Sequence, residues 1–296
     1  MAEISQVRNV LSGKVTHKIS EVSEKAPVAE SSPIGMFDSG LGGLTVFEKT
    51  AKLLPRESII YLADTARVPY GGRSNSEILK INKEILDLMV GYGVKLVVIA
   101  CGTSSAIAYP VMKDRYKIPM VGMIEGGAKL AAAATKNKKI GVIATVGTIN
   151  SLAYQTSIKA LNKEAEVFGA ACPLLVPLIE GGFAASRETE SVLKEYLRPL
   201  MAAKIDTLVL GCTHYPHLIK TIKGILGPGI TIIDPADEAA KTARDILTRG
   251  KMTNTTNVPP KHRFIVTGSA NNFREIGSML MAHPLPNVEE ISIVKG

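Results

Sequence analysis

From Pro33 onward the chain alternates between two hydrophobic rhythms. Short unbroken apolar runs, such as Leu96-Val97-Val98-Ile99-Ala100 and Leu208-Val209-Leu210, carry no polar position. This is how strands buried on both faces of a parallel sheet read. The pattern predicts strands over 34–37, 58–62, 95–100 and 120–123, then over 139–144, 166–168, 207–210 and 230–233. Between them, apolar residues at helical spacing predict helices over 44–54, 75–91, 149–161, 188–201 and 237–249. A strand-like 264–267 and a helical 271–281 close the chain. Such alternation implies an α/β fold of mostly parallel sheets covered by helices.

Two of the runs end alike. One continues into Cys101-Gly102-Thr103, the other into Gly211-Cys212-Thr213-His214. Their matching positions imply two similar halves, so the reading divides the chain into a first α/β domain (33–124 with 234–296) and a second (125–233). The crossovers fall at Glu125-Gly126-Gly127 and Asp234-Pro235-Ala236-Asp237. The cleft between the halves is the expected site, because open sheets bind ligands outside the carboxyl ends of their strands and pockets favour domain interfaces.

Composition narrows the picture modestly. With 296 residues, 46% hydrophobic and 21% charged, the chain is an ordinary globular protein. Three cysteines are too few for a disulfide framework and point to a reducing, cytoplasmic setting. The sequence has no run of about 18 apolar residues to span a membrane. A net charge of +8 permits an anionic substrate, but the basic residues are dispersed. The densest cluster, Lys136-Asn137-Lys138-Lys139, has no interleaved aromatics and predicts a solvated loop rather than a nucleic-acid surface. Residues 1–32 are polar, of mixed charge and without a signal-peptide core. They are expected to form a flexible extension.

The candidate chemistry sits at strand ends. Asp38-Ser39-Gly40-Leu41-Gly42-Gly43 follows the first strand and opens a helix. Its glycines fit neither G-x-G-x-x-G nor a P-loop, leaving a helix start flanked by a carboxylate and a hydroxyl, or simply a capped helix. The segment 63–72, with Tyr70 and Gly71, reads as a Pro/Gly loop, either functional or a structural turn. Cys212-Thr213-His214 followed by His217 lacks the spacing of a zinc pair, though a metal site or a Cys–His nucleophile stays open. Glu180 ends an apolar run and faces either the cleft or solvent. Cys172 reads as a small buried hydrophobe.

Four motifs in order resemble the cofactor-independent aspartate/glutamate racemase family. They are Phe37-Asp38-Ser39-Gly40-Leu41-Gly42-Gly43, Ala63-Asp64-Thr65-Ala66-Arg67-Val68-Pro69-Tyr70-Gly71, Ala100-Cys101-Gly102-Thr103 and Gly211-Cys212-Thr213-His214-Tyr215-Pro216. The resemblance implies two pseudo-symmetric domains, no cofactor or metal, and racemisation of glutamate to supply D-glutamate for peptidoglycan. It implies Cys101 and Cys212 as the two acid/base residues, with Asp38 assisting the first and His214, supported by Glu180, the second. It further implies Asp38, Ser39, Tyr70, Gly71, Gly102, Thr103, Thr148, Thr213 and His214 as substrate contacts. The partner so implied is a small amino acid, not a nucleic acid or membrane, and a homodimer is admissible. Alternatives are a racemase of another acidic amino acid such as aspartate, or a catalytically weakened relative with a binding or regulatory role. Gly102 stands where the family usually has asparagine, so a missing substrate contact is expected there.

Overall fold

In a computed structural model, which describes Val15–Thr16, residues 29–286 and residues 288–293, the unbroken apolar runs become covered strands. In chain order these are β1 (Val15–Thr16), β2 (Ile34–Asp38), β3 (Ile59–Ala63), β4 (Leu96–Ile99), β5 (Met120–Val121) and β6 (Lys139–Ala144). They continue with β7 (Glu166–Ala171), β8 (Thr207–Leu210), β9 (Thr231–Ile233), β10 (Arg263–Val266) and β11 (Val288–Ser292). They form two sheets, β1-β11-β10-β3-β2-β4-β5 and β7-β6-β8-β9. Every pairing is parallel. All residues of β4 and β8 are buried, as strands covered on both faces require.

The strand order explains where the site must lie. From β2 the chain passes to β3 on one side and then returns to β4 on the other. The same reversal occurs around β6, with β7 on one side and β8 on the other. Each reversal opens a crevice at the carboxyl ends of two adjacent strands. In the first sheet that crevice receives Asp38, the last residue of β2, and Cys101, which follows β4. In the second it receives Thr145, which follows β6, and Cys212, which follows β8.

The halves are welded rather than loosely hinged. One buried apolar cluster takes Phe37 and Ile99 from the first sheet and Ile140, Val142 and Val209 from the second. Helix Pro235–Arg249 packs against both helix Leu44–Leu53 and helix Ile124–Ala134. At its start, Asp234 accepts the Ala236 N–H at 3.0 Å, and Lys49 reaches Asp234 at 2.7 Å and Asp237 at 2.6 Å.

Glu125-Gly126-Gly127, read as a crossover point, lies in helix Ile124–Ala134, between β5 of the first sheet and β6 of the second. Glycine is needed there for close approach, since a Cβ on Gly127 would sit 2.9 Å from Pro235 Cγ. The single helix foreseen over 149–161 is two, Val146–Asn150 and Ala153–Leu161. The Ser151 hydroxyl makes the break by donating to the Thr148 carbonyl at 2.7 Å and accepting the Ala153 N–H at 3.2 Å. Leu152 takes the left-handed turn between them, at φ 57°. Strand β11, with its mixed polar pattern, was absent from the sequence reading. The extension foreseen over 1–32 falls mostly outside the described residues. Of it, Val15–Thr16 pairs with Ile291–Ser292, and the Glu30 carbonyl accepts from Lys95 Nζ at 2.5 Å.

Candidate active site

The two crevices open into one cavity of about 400 Å³. Asp38, Ser39, Tyr70, Gly71, Cys101, Gly102 and Thr103 line it from one half; Glu180, Cys212, Thr213 and His214 line it from the other. Thr148 is not among the lining residues. Its hydroxyl lies 3.0 Å from Thr145 Oγ1, one layer behind the wall.

Cys101 caps the amino end of helix Gly102–Ile107, directly after the turn out of β4. Its thiol is buried and approaches Ser39 Oγ at 3.9 Å. Burial, reinforced by the negative charge of Asp38, pushes this thiol up to about 12. Asp38 is itself fully buried. Burial raises its pKa, while His214 and the N–H groups of Gly40 and Gly43 pull the other way. Its carboxylate accepts the Gly40 N–H at 2.9 Å and the Thr213 hydroxyl at 3.4 Å.

Cys212 has a different neighbour. Its Sγ lies 3.8 Å from His214 Nδ1, and His214 Nε2 lies 2.8 Å from Glu180 Oε1. Burial alone would discharge the imidazole, but its hydrogen bonds to Cys212 and Glu180 outweigh it and raise His214 to about 10. The ring is therefore an imidazolium at neutral pH, flanked by sulfur on one side and carboxylate on the other. Glu180 reaches it from the last residue of helix Leu175–Glu180, anchored by the buried Leu175 and Ile179. The apolar run before Glu180 is thus a helix face, and the carboxylate does face the cleft.

Between the thiols the wall is rich in neutral hydrogen-bonding groups. Thr103, Thr145 and Thr148 form a hydroxyl chain, with the first two 2.9 Å apart across the halves. Next to it, Gly147 N–H donates to the Gly71 carbonyl at 2.8 Å. The Tyr70 phenol is committed to Asp64 at 2.5 Å, which Arg67 and Thr267 also engage. Tyr70 therefore shapes the loop, leaving its hydroxyl turned to Asp64. Among the described residues, no lysine or arginine lines the cavity.

Thr145 is a polar lining residue that the sequence pattern did not single out. Thr145 follows β6 as directly as the cysteine turns follow β4 and β8, so matching the halves position by position would have found it. Cys172 also lines the cavity, but it is wholly buried and its thiol donates to the Ala170 carbonyl at 3.4 Å. Burial pushes it up to about 12. It behaves as a wall residue, as its sequence context implied.

Gly102 lines the cavity, and the structure gives a steric reason for the glycine. A Cβ built there collides with the Gly211 carbonyl oxygen. Its φ does not lie in the left-handed region, so contact between the two halves explains the glycine. The expected missing amide contact becomes a matter of space, since the gap that would receive a side chain is filled by the backbone beside Cys212.

The sequence pattern of the Asp/Glu/hydantoin racemase family matches residues 34–243. The chain is 41% identical over 262 residues to a glutamate racemase of Listeria monocytogenes serotype 4a, covering 88% of this chain and 98% of that relative. Among solved structures it is similar to glutamate racemase isoform RacE1 from Bacillus anthracis. That TM-score is 0.86 at 37% identity, covering 90% of this chain and 100% of the other. It is similar also to a glutamate racemase from Francisella tularensis in complex with D-glutamate. There the TM-score is 0.84 at 38% identity, with 89% and 98% covered.

Proposed function

The chain belongs to the Asp/Glu/hydantoin racemase family, and we propose that it interconverts L- and D-glutamate by proton transfer between two cysteines. The observation that carries this reading is the arrival of two thiols, from equivalent strand ends in opposite halves, at one cavity. Such a pair suits a carbon acid: one sulfur takes the α-proton from one face while the other returns a proton to the opposite face. A thiol poised on the far face delivers the proton in place of bulk solvent.

Each cysteine then has its own assistant. His214, held as imidazolium by Glu180, offsets negative charge on the Cys212 sulfur. Asp38 assists Cys101 and offers a carboxylate to the substrate ammonium group. Ser39, Thr103, Thr145, Thr213 and the Gly71 backbone receive the two substrate carboxylates as neutral donors. Thr148 orients Thr145 from behind. This assignment spans two domains, 33–124 with 234–296 around Cys101 and 125–233 around Cys212. It needs no cofactor, since the thiols supply both acid and base. We place the protein in the cytoplasm, where it supplies D-glutamate for peptidoglycan. No helix among the described residues is long and apolar enough to cross a membrane.

Incubation of the purified protein with L-glutamate or L-aspartate, followed by circular dichroism, tests the reading. We expect optical activity to decay to zero with glutamate and to change far more slowly with aspartate. Rapid decay with aspartate alone would transfer the assignment to that substrate. No decay with either would leave a binding protein built on a racemase scaffold.

A further inference from the structure

Helix Gly102–Ile107 begins with Cys101 as its N-cap, which puts Ser104 at the third helical position. From there both the N–H and a short side chain face back toward the N-cap side chain. Ser104 is completely buried, and its Oγ has no hydrogen-bond partner among the described residues. The adjacent Ser105 is buried too but fully engaged, donating to the Ile99 carbonyl at 2.8 Å and accepting the Met123 N–H at 3.0 Å. A buried hydroxyl left unpaired is destabilising, and such exceptions concentrate where function needs them.

The surroundings of the Cys101 sulfur show what that need is. Asp38 approaches from β2 and Cys212 from the turn after β8, and both oppose negative charge at Cys101. Tyr61 and Tyr70 also feel that charge. Their phenols are turned elsewhere, to the Gly40 carbonyl at 2.8 Å and to Asp64 at 2.5 Å. Ser39 Oγ stands 3.9 Å from the sulfur, on the cavity wall where substrate competes for it. The N–H and hydroxyl of Ser104 both favour the thiolate, against burial and Asp38. A neutral thiol is a weak acceptor, whereas a thiolate is a strong one. The hydroxyl therefore gains its full partner only when Cys101 loses its proton.

We propose that Ser104 is a positioning residue for the Cys101 base, its hydroxyl turning onto the sulfur as the thiolate forms. An interaction stronger in the charged state than in the resting state lowers the barrier rather than merely tightening the fold. The inference rests on reading Cys101 as one of the two acid/base thiols.

The test is Ser104→Ala in the full chain, a change that removes one oxygen and leaves the helix intact. Iodoacetamide alkylation near pH 8, mapped cysteine by cysteine by mass spectrometry, reads the thiolate without requiring turnover. We expect the Cys101 rate to fall roughly three- to tenfold, because a smaller thiolate fraction is partly offset by higher nucleophilicity. The Cys212 rate should be unchanged, and Ser104→Thr, which keeps the hydroxyl, should restore Cys101. For glutamate, kcat/KM should fall roughly ten- to a hundredfold, the loss of a hydrogen bond to a charged group. It must fall equally in both directions, since the equilibrium constant of racemisation is one. An unchanged Cys101 rate, or equal slowing of both cysteines, would overturn the proposal and leave Ser104 a packing residue. Slowed Cys101 alkylation in a protein that does not racemise glutamate would uphold the Ser104 contact and refute the substrate assignment instead.

Discussion

The strand order β3-β2-β4-β5 of the first sheet repeats as β7-β6-β8-β9 in the second, and each puts a cysteine two residues past its third strand. The surroundings of the two thiols do not repeat. Two residues beyond Cys101 stands Thr103, joined to a hydroxyl chain; two beyond Cys212 stands His214, an imidazolium backed by Glu180. Cys101 instead has the anionic Asp38 as its charged neighbour, and its thiol is pushed up. Backbone topology thus fixes where the sulfurs lie, while a few side chains give each sulfur a different charged neighbour. A pair of bases used in turn requires that difference, because two thiols in identical settings would have no resting assignment of acid and base.

The largest effect should come from removing either member of the pair. Cys101→Ala and Cys212→Ala should each lower racemisation roughly a hundred- to ten-thousandfold, the range for loss of a positioned acid or base, as read by circular dichroism. Near-normal activity in either variant would show that the comparison of halves misplaces the chemistry. A smaller loss should follow from weakening one side's assistant. His214→Asn should reduce kcat roughly a hundredfold and Glu180→Gln roughly tenfold, with KM changed little in steady-state assays. The smaller loss is expected if Glu180 works through the ring it holds at 2.8 Å. Equal effects of the two would mean that Glu180 meets substrate directly.

An effect comparable to that of Glu180→Gln concerns the seam between the halves. Gly102→Ala should lower kcat/KM about tenfold and reduce the thermal midpoint, because its methyl group meets the Gly211 carbonyl and must push the Cys212 turn away. Gly102→Asn should be worse, although the family resemblance alone suggests a gain. Improved activity in the asparagine variant would restore the missing-contact account.

Much of this was legible in the chain. The unbroken runs at 96–100 and 208–210 announce strands because no polar side chain interrupts them, and the cysteine turns follow at once. Asn75–Gly91 is readable to the residue because Ser74 and Glu77 form a capping box at its start. What stayed hidden depends on contacts between distant segments. The reason Gly126 and Gly127 are glycines lies in helix Pro235–Arg249 and Tyr154, over a hundred and over twenty positions away. The buried Lys95–Glu57 pair, 2.5 Å apart, likewise has no local signature. Thr145 was missed for another reason, since a threonine after a strand looks ordinary until the second half is laid over the first. The role of Gly102 was invisible because it depends on how closely the two halves approach.

The central claim is that two thiols act on opposite faces of one carbon. It is tested most directly by racemising L-glutamate in deuterium oxide and following the α-position by proton NMR at early turnover. The account predicts D-glutamate almost fully deuterated at Cα while the remaining L-glutamate keeps its proton. Substantial protium carried into D-glutamate, or deuterium entering both enantiomers at the same rate, would mean that a single group serves both faces and would contradict it.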